Sequence, residues 1–301
     1  MPSRLLALLV TVTVAGGGLA LTSCGAEEAA GVNAAQAAEA TGKQGTARMT
    51  MSMKMSGLGL PNPMRLKADG VTALREPRAR IRMDLGSLLA LAGASRETKG
   101  GLEMLIDGAD FYVKPPKLDG LRIPGDKSWV ALDLRALAEA AGLPADGLGA
   151  IFALDPSSQM RALKAAKGLK EVGKEDVGGV ETTHFKGTYR LSDFIAGLPE
   201  AKRAQARKAV AAMKRIGGKE AGLDRPTPAE LWVDEDDLMR RMRVSSKLPA
   251  QSGVPPGSFV IDYELRDFGA KLDTTAPPAS ESYDATGALG KALKGLPRAT
   301  R

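Results

Sequence analysis

Polar and apolar residues alternate strictly along residues 46–56, and this alternation is the clearest structural signal in the chain. Methionines occupy every second position from Met49 to Met55, while polar side chains such as Arg48 and Lys54 occupy the positions between them. Successive side chains of a β-strand point to opposite faces of a sheet, so a period of two predicts a half-buried strand. Its methionine face would lie against the protein interior.

The same alternation predicts further strands along the chain. They lie at residues 64–74, 78–85, 102–107, 110–114, 169–176, 181–191, 228–234, 238–248 and 257–268. The pair Asp107-Gly108 predicts a tight hairpin between the strands at 102–107 and 110–114, because Asp-Gly favours the positive φ angles of a two-residue turn.

Helical patterns are fewer than strand patterns. Residues 32–41 are alanine-rich, so a short helix should precede the first strand. Helices are also predicted at 132–141, at 192–216, and at 155–167, where Asp155-Pro156 supplies the N-cap and the first-turn proline. The chain after Lys271 is rich in Pro, Ala, Ser and Gly and is predicted to be loose, apart from a short segment near 287–296.

Together these elements predict a single α+β domain built on one antiparallel sheet of about ten strands. A sheet this wide must curl, because one face of an antiparallel sheet packs on the core while the other faces water. The predicted helices are too few to fill a broad concave face. The arrangement therefore leaves room for an apolar cavity.

The start of the chain has the features of a bacterial lipoprotein signal. Arg4 precedes an apolar run over residues 5–21, and Leu21-Thr22-Ser23-Cys24 forms a lipobox. The alternative, a permanent membrane span, needs about 20 apolar residues and a basic stop-transfer cluster, and this run has neither. We expect cleavage after residue 23 and a thioether to diacylglycerol at Cys24, with palmitate among the acyl chains. This lipid would anchor the protein to the outer face of the cell membrane.

Composition narrows the possible functions. The net charge of +7 comes from basic residues interleaved with acidic ones, which in an exported chain argues against nucleic acid and favours anionic lipid head groups. Cys24 is the single cysteine, so its acylation leaves no thiol for a disulfide, a metal or a nucleophile. Aromatic residues make up only 4% of the chain, so Ala, Leu and Met should line its interior. Such flexible linings suit adaptable apolar ligands.

Candidate catalytic groups are scarce. The single histidine, His184, shares a strand face with Thr182, Lys186 and Thr188 and is expected to face solvent or a polar rim. A metal site would need further nitrogen or sulfur ligands, and no Gly-x-Ser-x-Gly motif presents a nucleophile. The acidic run at 234–237 lacks EF-hand spacing and is expected to form a solvated hairpin turn. We therefore expect no enzyme activity, no cofactor and no metal.

Several segments occur in an order that points to a family. After the lipobox and the alanine-rich helix come residues 106–115 (IDGADFYVKP), 129–134 (WVALDL), 178–188 (GGVETTHFKGT) and 230–241 (ELWVDEDDLMRR). In these segments the chain resembles the LppX/LprG-type lipoproteins of actinobacteria, whose half-barrel is similar to that of the LolA and LolB lipoprotein carriers. The resemblance covers nearly all of the chain after residue 23. The helix at 192–217 is longer than is usual in the family, and the apolar stretches at 85–94 and 143–154 would form lids of a different size.

The resemblance implies an α+β half-barrel of about ten to eleven strands, with helices over a concave face that encloses an apolar cavity for the acyl chains of lipids or lipoglycans. The chain then divides into a signal peptide (1–23), a tether and short helix (24–45), a half-barrel lipid-binding domain (46–272) and a flexible tail (273–301). A plain packed core is the alternative role for the residues expected to line the cavity. These are Met51, Met53, Leu66, Ile81, Met104, Phe185, Tyr189, Trp232 and Tyr263.

A basic cluster lies on the predicted helix at 192–216, with little acid near it. Its members are Lys202, Arg203, Arg207, Lys208, Lys214 and Arg215. The cluster could be a solvated face, or it could dock on anionic head groups, where each basic residue contributes about 1 kcal/mol.

Two functions remain open at this stage. In the first, the chain is an extracytoplasmic lipoprotein that binds a lipid or lipoglycan by its acyl chains and carries or presents it in the envelope, with a membrane transporter as a further candidate partner. Apolar burial, about 0.8 kcal/mol per methylene, would drive binding. In the second, it is a structural or interaction lipoprotein with a filled core and no lipid ligand, and the helices at 132–141 and 155–167 pack down on the sheet.

Overall fold

The computed structural model describes residues 24–87, 101–116, 122–140, 169–190, 226–248, 250 and 255–295, together with positions 192, 195, 200, 203, 204 and 207. Several predicted features lie outside these residues. They are the signal peptide at 1–23, the helix at 155–167, most of the helix at 192–216, the stretch at 143–154 and most of the stretch at 85–94.

The described residues form one sheet of twelve strands. The strands are β1 (Thr46–Gly57), β2 (Met64–Ala73), β3 (Arg78–Asp84), β4 (Gly101–Asp107), β5 (Asp110–Lys114), β6 (Trp129–Asp133), β7 (Lys170–Val177), β8 (Val180–Tyr189), β9 (Thr227–Asp234), β10 (Met239–Leu248), β11 (Gly257–Arg266) and β12 (Ser282–Asp284). Their spatial order is β12-β6-β5-β4-β3-β2-β1-β11-β10-β9-β8-β7. Neighbours are antiparallel except β12 and β6, which are parallel. This wide, open sheet confirms the predicted fold class.

Three α-helices have both ends within the described ranges: α1 (Cys24–Lys43), α2 (Leu134–Ala140) and α3 (Thr286–Gly295). Helix α1 is longer than the predicted helix at 32–41 and includes the residues expected to form a tether. No helix in the part of the chain that the structure describes is long and apolar enough to cross a membrane.

The alternation of β1 sorts its side chains onto two faces, as predicted. Met51 lies directly opposite Ala68 of β2 and Tyr263 of β11, and the polar Thr50 lies opposite Asp69 and Glu264. We call the side of the sheet that bears the four methionines of β1 the apolar face, and the opposite side the polar face. A one-residue shift in register would exchange the two faces, so the buried methionines fix the pairing.

Strand β6 corrects the prediction of a helix from residue 132. The chain is extended through Asp133, and α2 begins only at Leu134. The Asp133 carboxylate accepts hydrogen bonds from the amides of Arg135 (2.8 Å) and Ala136 (3.0 Å), which are the cap contacts that start a helix. The hydrophobic pattern predicted a helix start two residues too early, because it contains no information about the Asp133 cap.

The tail after residue 272 also differs from the prediction of a flexible segment. Residues 282–284 add a strand to the sheet edge beside β6. The segment predicted near 287–296 forms α3, which packs against α2. Before that, the chain crosses the polar face, where Arg78 donates a 2.9 Å hydrogen bond to the Thr274 hydroxyl. A three-residue strand is too short to show a periodicity, so the sequence pattern did not reveal it.

Candidate functional site

The apolar face carries a continuous cluster of buried side chains. Its members come from β1 to β5, from β8 to β11, and from α1 and α2. In one row across the sheet, Met51 lies opposite Tyr263, Tyr263 opposite Met242, Met242 opposite Leu231, and Leu231 opposite Phe185. Five strands therefore contribute to a single apolar surface.

Burial changes from one end of this surface to the other. On β1, Ala47 and Met49 are fully buried and Met51 is 1% exposed, whereas Met53 and Met55 are only half-buried. We call the end at Ala47 and Met49 the packed end. The open end consists of half-buried apolar side chains from β1, β2 and β11, namely Met53, Met55, Met64, Leu66, Phe259 and Ile261.

Helix α1 covers the packed end. Its Ala34, Ala37 and Ala38 are buried in the same cluster as the sheet side chains. The Thr41 hydroxyl accepts a 2.8 Å hydrogen bond from the amide of Met239, which ties the end of the helix to β10. The apolar face is therefore closed at one end and more accessible at the other.

The predicted lining residues fall into four groups. Five are buried on the apolar face within the core cluster: Met51, Ile81, Met104, Phe185 and Tyr263. Met53 and Leu66 are half-buried at the open end. The side chain of Tyr189 lies outside the described part of the structure. Trp232 lies on the polar face, so its assignment to the cavity is wrong.

Trp232 belongs to the polar face because of its position in the strand. It alternates with Leu231 and Val233, which join the apolar cluster, and it lies opposite His184. Its ring stacks on His184 with centroids 4.1 Å apart and an interplanar angle of 15°. Its indole N–H donates a 2.9 Å hydrogen bond to Glu175. Strand parity with its neighbours would have identified this face from sequence.

His184 lies on the predicted face, but it is buried rather than exposed to solvent. It is 3% exposed, and its Nδ1 and Nε2 atoms lie 2.9 Å from carboxylate oxygens of Glu175 and Glu230 respectively. A hydrogen on either ring nitrogen can be donated to the carboxylate beside it. No group of three or more His, Cys, Asp or Glu side chains that could hold a metal occurs within the described ranges.

Ion pairs lie beside this histidine on the polar face. The Arg241 and Arg243 guanidiniums lie 4.9 and 5.6 Å from the Trp232 ring centroid and contact Asp262 at 2.6 and 2.7 Å. Burial raises the pKa of Asp262, but the hydrogen bonds from both arginines outweigh it and hold that pKa below its usual value. The hydrogen bond from Trp232 is the main cause of the lowered pKa of Glu175. Within this cluster, the two arginines and Asp262 compensate one another's charge.

Among the described residues, two clefts open on the polar face, beneath the segment that follows β11. One, of about 560 Å³, is lined by side chains that include Arg78, Asp107, Asp110 and Tyr112. The other, of about 270 Å³, is lined by residues that include Arg80. Because charged side chains line both clefts, neither suits an acyl chain.

The remaining predicted sites are only partly described. Cys24 is the first residue of α1. Of the basic cluster, Arg203 is half-buried and Arg207 exposed, and its other four members lie outside the described residues, so the docking role stays a prediction. The acidic run does form the turn between β9 and β10, but Asp234 is buried and accepts a 2.8 Å hydrogen bond from the Leu238 amide.

No protein-family model matches the chain. Over 161 residues it is 31% identical to an uncharacterized 31.2 kDa protein from the rplA-rplJ intergenic region of Streptomyces griseus. That match covers 53% of this chain and 49% of the relative, so the chain spans about half the length of that protein.

Among solved structures, the chain is similar to lipoprotein LppX of Mycobacterium tuberculosis, with 15% identity and a TM-score of 0.42 over 82% of this chain and 99% of that one. It is similar to LprF of Mycobacterium bovis, with 13% identity and a TM-score of 0.41 over 82% and 98%. A LolA superfamily protein of Nitrosomonas europaea gives 10% identity and a TM-score of 0.27 over 79% and 94%. Each of these likenesses concerns the fold alone.

Proposed function

We propose that the chain is a membrane-anchored, extracytoplasmic lipoprotein whose apolar face binds a lipid or lipoglycan by its acyl chains and carries or presents it in the cell envelope. The observation that carries this proposal is the open end of the apolar face. Apolar side chains from three adjacent strands remain half-buried there, although the same strands are fully packed toward α1. An apolar surface that is incompletely covered is suited to an apolar ligand.

Burial of acyl methylenes against apolar side chains is sufficient to drive this binding. Each methylene of an acyl chain that leaves water contributes about 0.8 kcal/mol, so a few methylenes against Met53, Met55 and Leu66 would give measurable affinity. Methionine side chains are flexible and polarisable, so they can adapt to chains of different shape. Delivery to or from the face would involve the membrane or a membrane transporter. The lipobox that ends at Cys24 supports placement of this face beside the membrane from which the ligand would come.

A second candidate, a structural or interaction lipoprotein with a filled core, is supported by a different observation. Met51, Ile81 and Met104 are 1%, 1% and 3% exposed, so the central part of the apolar face is already packed. In that case the open end would be the margin of an ordinary core, and it would take up no lipid.

Titration with a fluorescent fatty acid separates the two candidates. We expect Met53→Lys to weaken probe binding at least tenfold, because it places a charge at the open end of the apolar face. The matched control is Ser52→Lys. It places the same charge on the residue just before Met53 in β1, on the exposed polar face. Equal effects of the two substitutions, or no probe uptake by the parent protein, would contradict the proposed function.

A further inference from the structure

The two loops at the open end of the sheet form a single surface of unusual composition. We propose that this surface docks on anionic phospholipid bilayers. It comprises residues 57–63, which connect β1 to β2, and residues 255–257, which lead into β11, and we call it the tip. This inference goes beyond the proposed function, since the tip could bind a membrane whether or not the apolar face holds a lipid.

The tip and the chain around it carry no charge. No acidic or basic residue occurs between Lys54 and Arg65, or between Lys247 and Asp262. The described part of the tip instead exposes or half-exposes leucines and prolines: Leu58, Leu60, Pro61, Pro63, Pro255 and Pro256. In a chain in which 26% of residues are charged, the described residues of these two uncharged runs mark a surface suited to an apolar environment.

The two loops are held together by backbone contacts. The Leu58 amide donates a 3.1 Å hydrogen bond to the Pro256 carbonyl. Gly57 and Gly257 lie directly opposite each other at the ends of β1 and β11. A Cβ atom at Gly57 would lie 2.4 Å from the Pro256 oxygen, and one at Gly257 would lie 2.7 Å from Cγ of Leu58. Only glycine permits this approach, which brings the apolar side chains of both loops onto one surface.

A ring of basic residues borders the tip on the polar face. We call Lys54, Arg65, Lys67 and Lys247 the basic collar. All four are exposed, and none forms an ion pair with another described residue. Lys54 lies directly opposite Arg65, an arrangement of like charges that destabilises a sheet. One acidic residue, Asp84, lies opposite Lys67, and its carboxylate accepts a hydrogen bond from the Gly86 amide.

The collar contrasts with the rest of the polar face. There Arg80 contacts Glu103 at 2.7 Å, and Arg241 and Arg243 share Asp262. These three arginines are paired with carboxylates, whereas the collar beside the tip keeps uncompensated positive charge. Apolar side chains that enter the boundary of a bilayer, flanked by basic residues at the level of its head groups, are the features of a protein surface that binds anionic membranes.

Docking in this way would also orient the apolar face. Met55 lies opposite Met64 and Phe259, two positions along the strand from the Gly57–Gly257 pair. The open end therefore begins directly behind the tip. A bilayer that contacts the tip would lie next to the accessible part of the apolar face.

The test uses co-sedimentation with vesicles of phosphatidylcholine that contain 30% phosphatidylglycerol, compared with vesicles of phosphatidylcholine alone. The form used in this test starts at residue 24 and carries Cys24→Ser. Neither the apolar N-terminal run nor an acyl anchor can therefore bind the vesicles. We expect it to bind the anionic vesicles more tightly and to be released by high salt. Combined substitution of three collar residues should weaken binding about a hundredfold, at about fivefold per residue. That variant is Lys54→Gln with Arg65→Gln and Lys247→Gln.

A charge-matched control removes three exposed basic residues outside the tip and the collar, by Lys43→Gln, Arg122→Gln and Lys291→Gln. It should retain nearly all of the binding. An independent variant, Leu60→Ser, should also weaken binding, whereas Leu289→Ser, at a leucine of α3 that is 43% exposed, should not. Circular dichroism and thermal unfolding would be measured for each variant to check that it is folded.

Three results would overturn the proposal. The first is equal loss of binding in the collar variant and its control, which would make net charge the cause. The second is equal binding to both kinds of vesicle, or to neither. The third is self-association of the chain that Leu60→Ser abolishes in the absence of vesicle binding, which would assign the tip to a second copy of the protein. None of these results depends on uptake of an acyl probe, so docking and ligand binding can fail separately.

Discussion

Met51 and Met53 offer a direct comparison between a core position and a ligand-contact position. They are the same residue type, two positions apart on the same face of β1, but Met51 is 1% exposed whereas Met53 is half-buried. Truncation of a fully buried methionine to alanine removes apolar burial and leaves a cavity, at a cost of about 2 to 5 kcal/mol. We expect Met51→Ala to lower the free energy of unfolding by about 3 kcal/mol.

Met53→Ala should cost much less stability, about 1 kcal/mol, because water already reaches the side chain and no closed cavity forms. Its effect on ligand binding should be the larger of the two. The loss of contact with about two methylenes predicts roughly a tenfold weaker affinity for a fluorescent fatty acid. Urea denaturation gives the first quantity and probe titration the second. Equal stability losses, or an unchanged probe affinity in Met53→Ala, would refute the assignment of a packed end and an open end.

Three further predictions address the polar face and the sheet. Trp232→Phe keeps the stacked ring but removes the N–H that donates to Glu175, so urea denaturation should show a loss of about 1 kcal/mol and probe titration no change. Asp262 and Glu175 both have a lowered pKa in the folded protein, so the unfolded chain takes up protons first as the pH falls. Their contribution to stability is complete above about pH 5 and is lost as the pH falls through the folded pKa values, so melting temperatures from pH 7 to pH 3 should decline less steeply in Asp262→Asn. Gly70→Ala should cost about 1 to 3 kcal/mol in urea denaturation, because the new Cβ would lie 2.1 Å from a backbone oxygen of β3, whereas Gly287→Ala, where no atom lies within 4 Å, should be nearly neutral.

The strands that alternate strictly were predicted to within one or two residues, because alternation is imposed by the pleat itself. The five residues of β6 were not predicted as a strand, because they continue directly into α2. The Asp133 cap separates the two elements, and the hydrophobic pattern does not indicate that cap. The three residues of β12 depend on pairing with β6, which lies about 150 residues earlier in the chain and which no local pattern can indicate.

The candidate site was predicted less completely than the fold. Strand parity correctly placed Met53 and Leu66 on the apolar face, and the same parity, applied to Leu231 and Val233, would have placed Trp232 on the other one. The burial of His184 could not be predicted, because it is produced by the stacked Trp232 ring and by side chains of β7 and β9 that local sequence does not place beside it. The division of the apolar face into packed and open ends arises from the position of α1, a tertiary contact that composition does not encode.

The central claim is that the apolar face holds an acyl chain, and the lipid content of the purified protein tests it most directly. The form that begins at residue 24 and carries Cys24→Ser would be produced in the organism that encodes the chain, purified without detergent and extracted with organic solvent. Mass spectrometry of the extract should find one lipid class in near-stoichiometric amount, and the yield should fall sharply in Met53→Lys but not in Ser52→Lys. Repeated absence of lipid from the parent protein, or equal lipid in all three proteins, would contradict the claim.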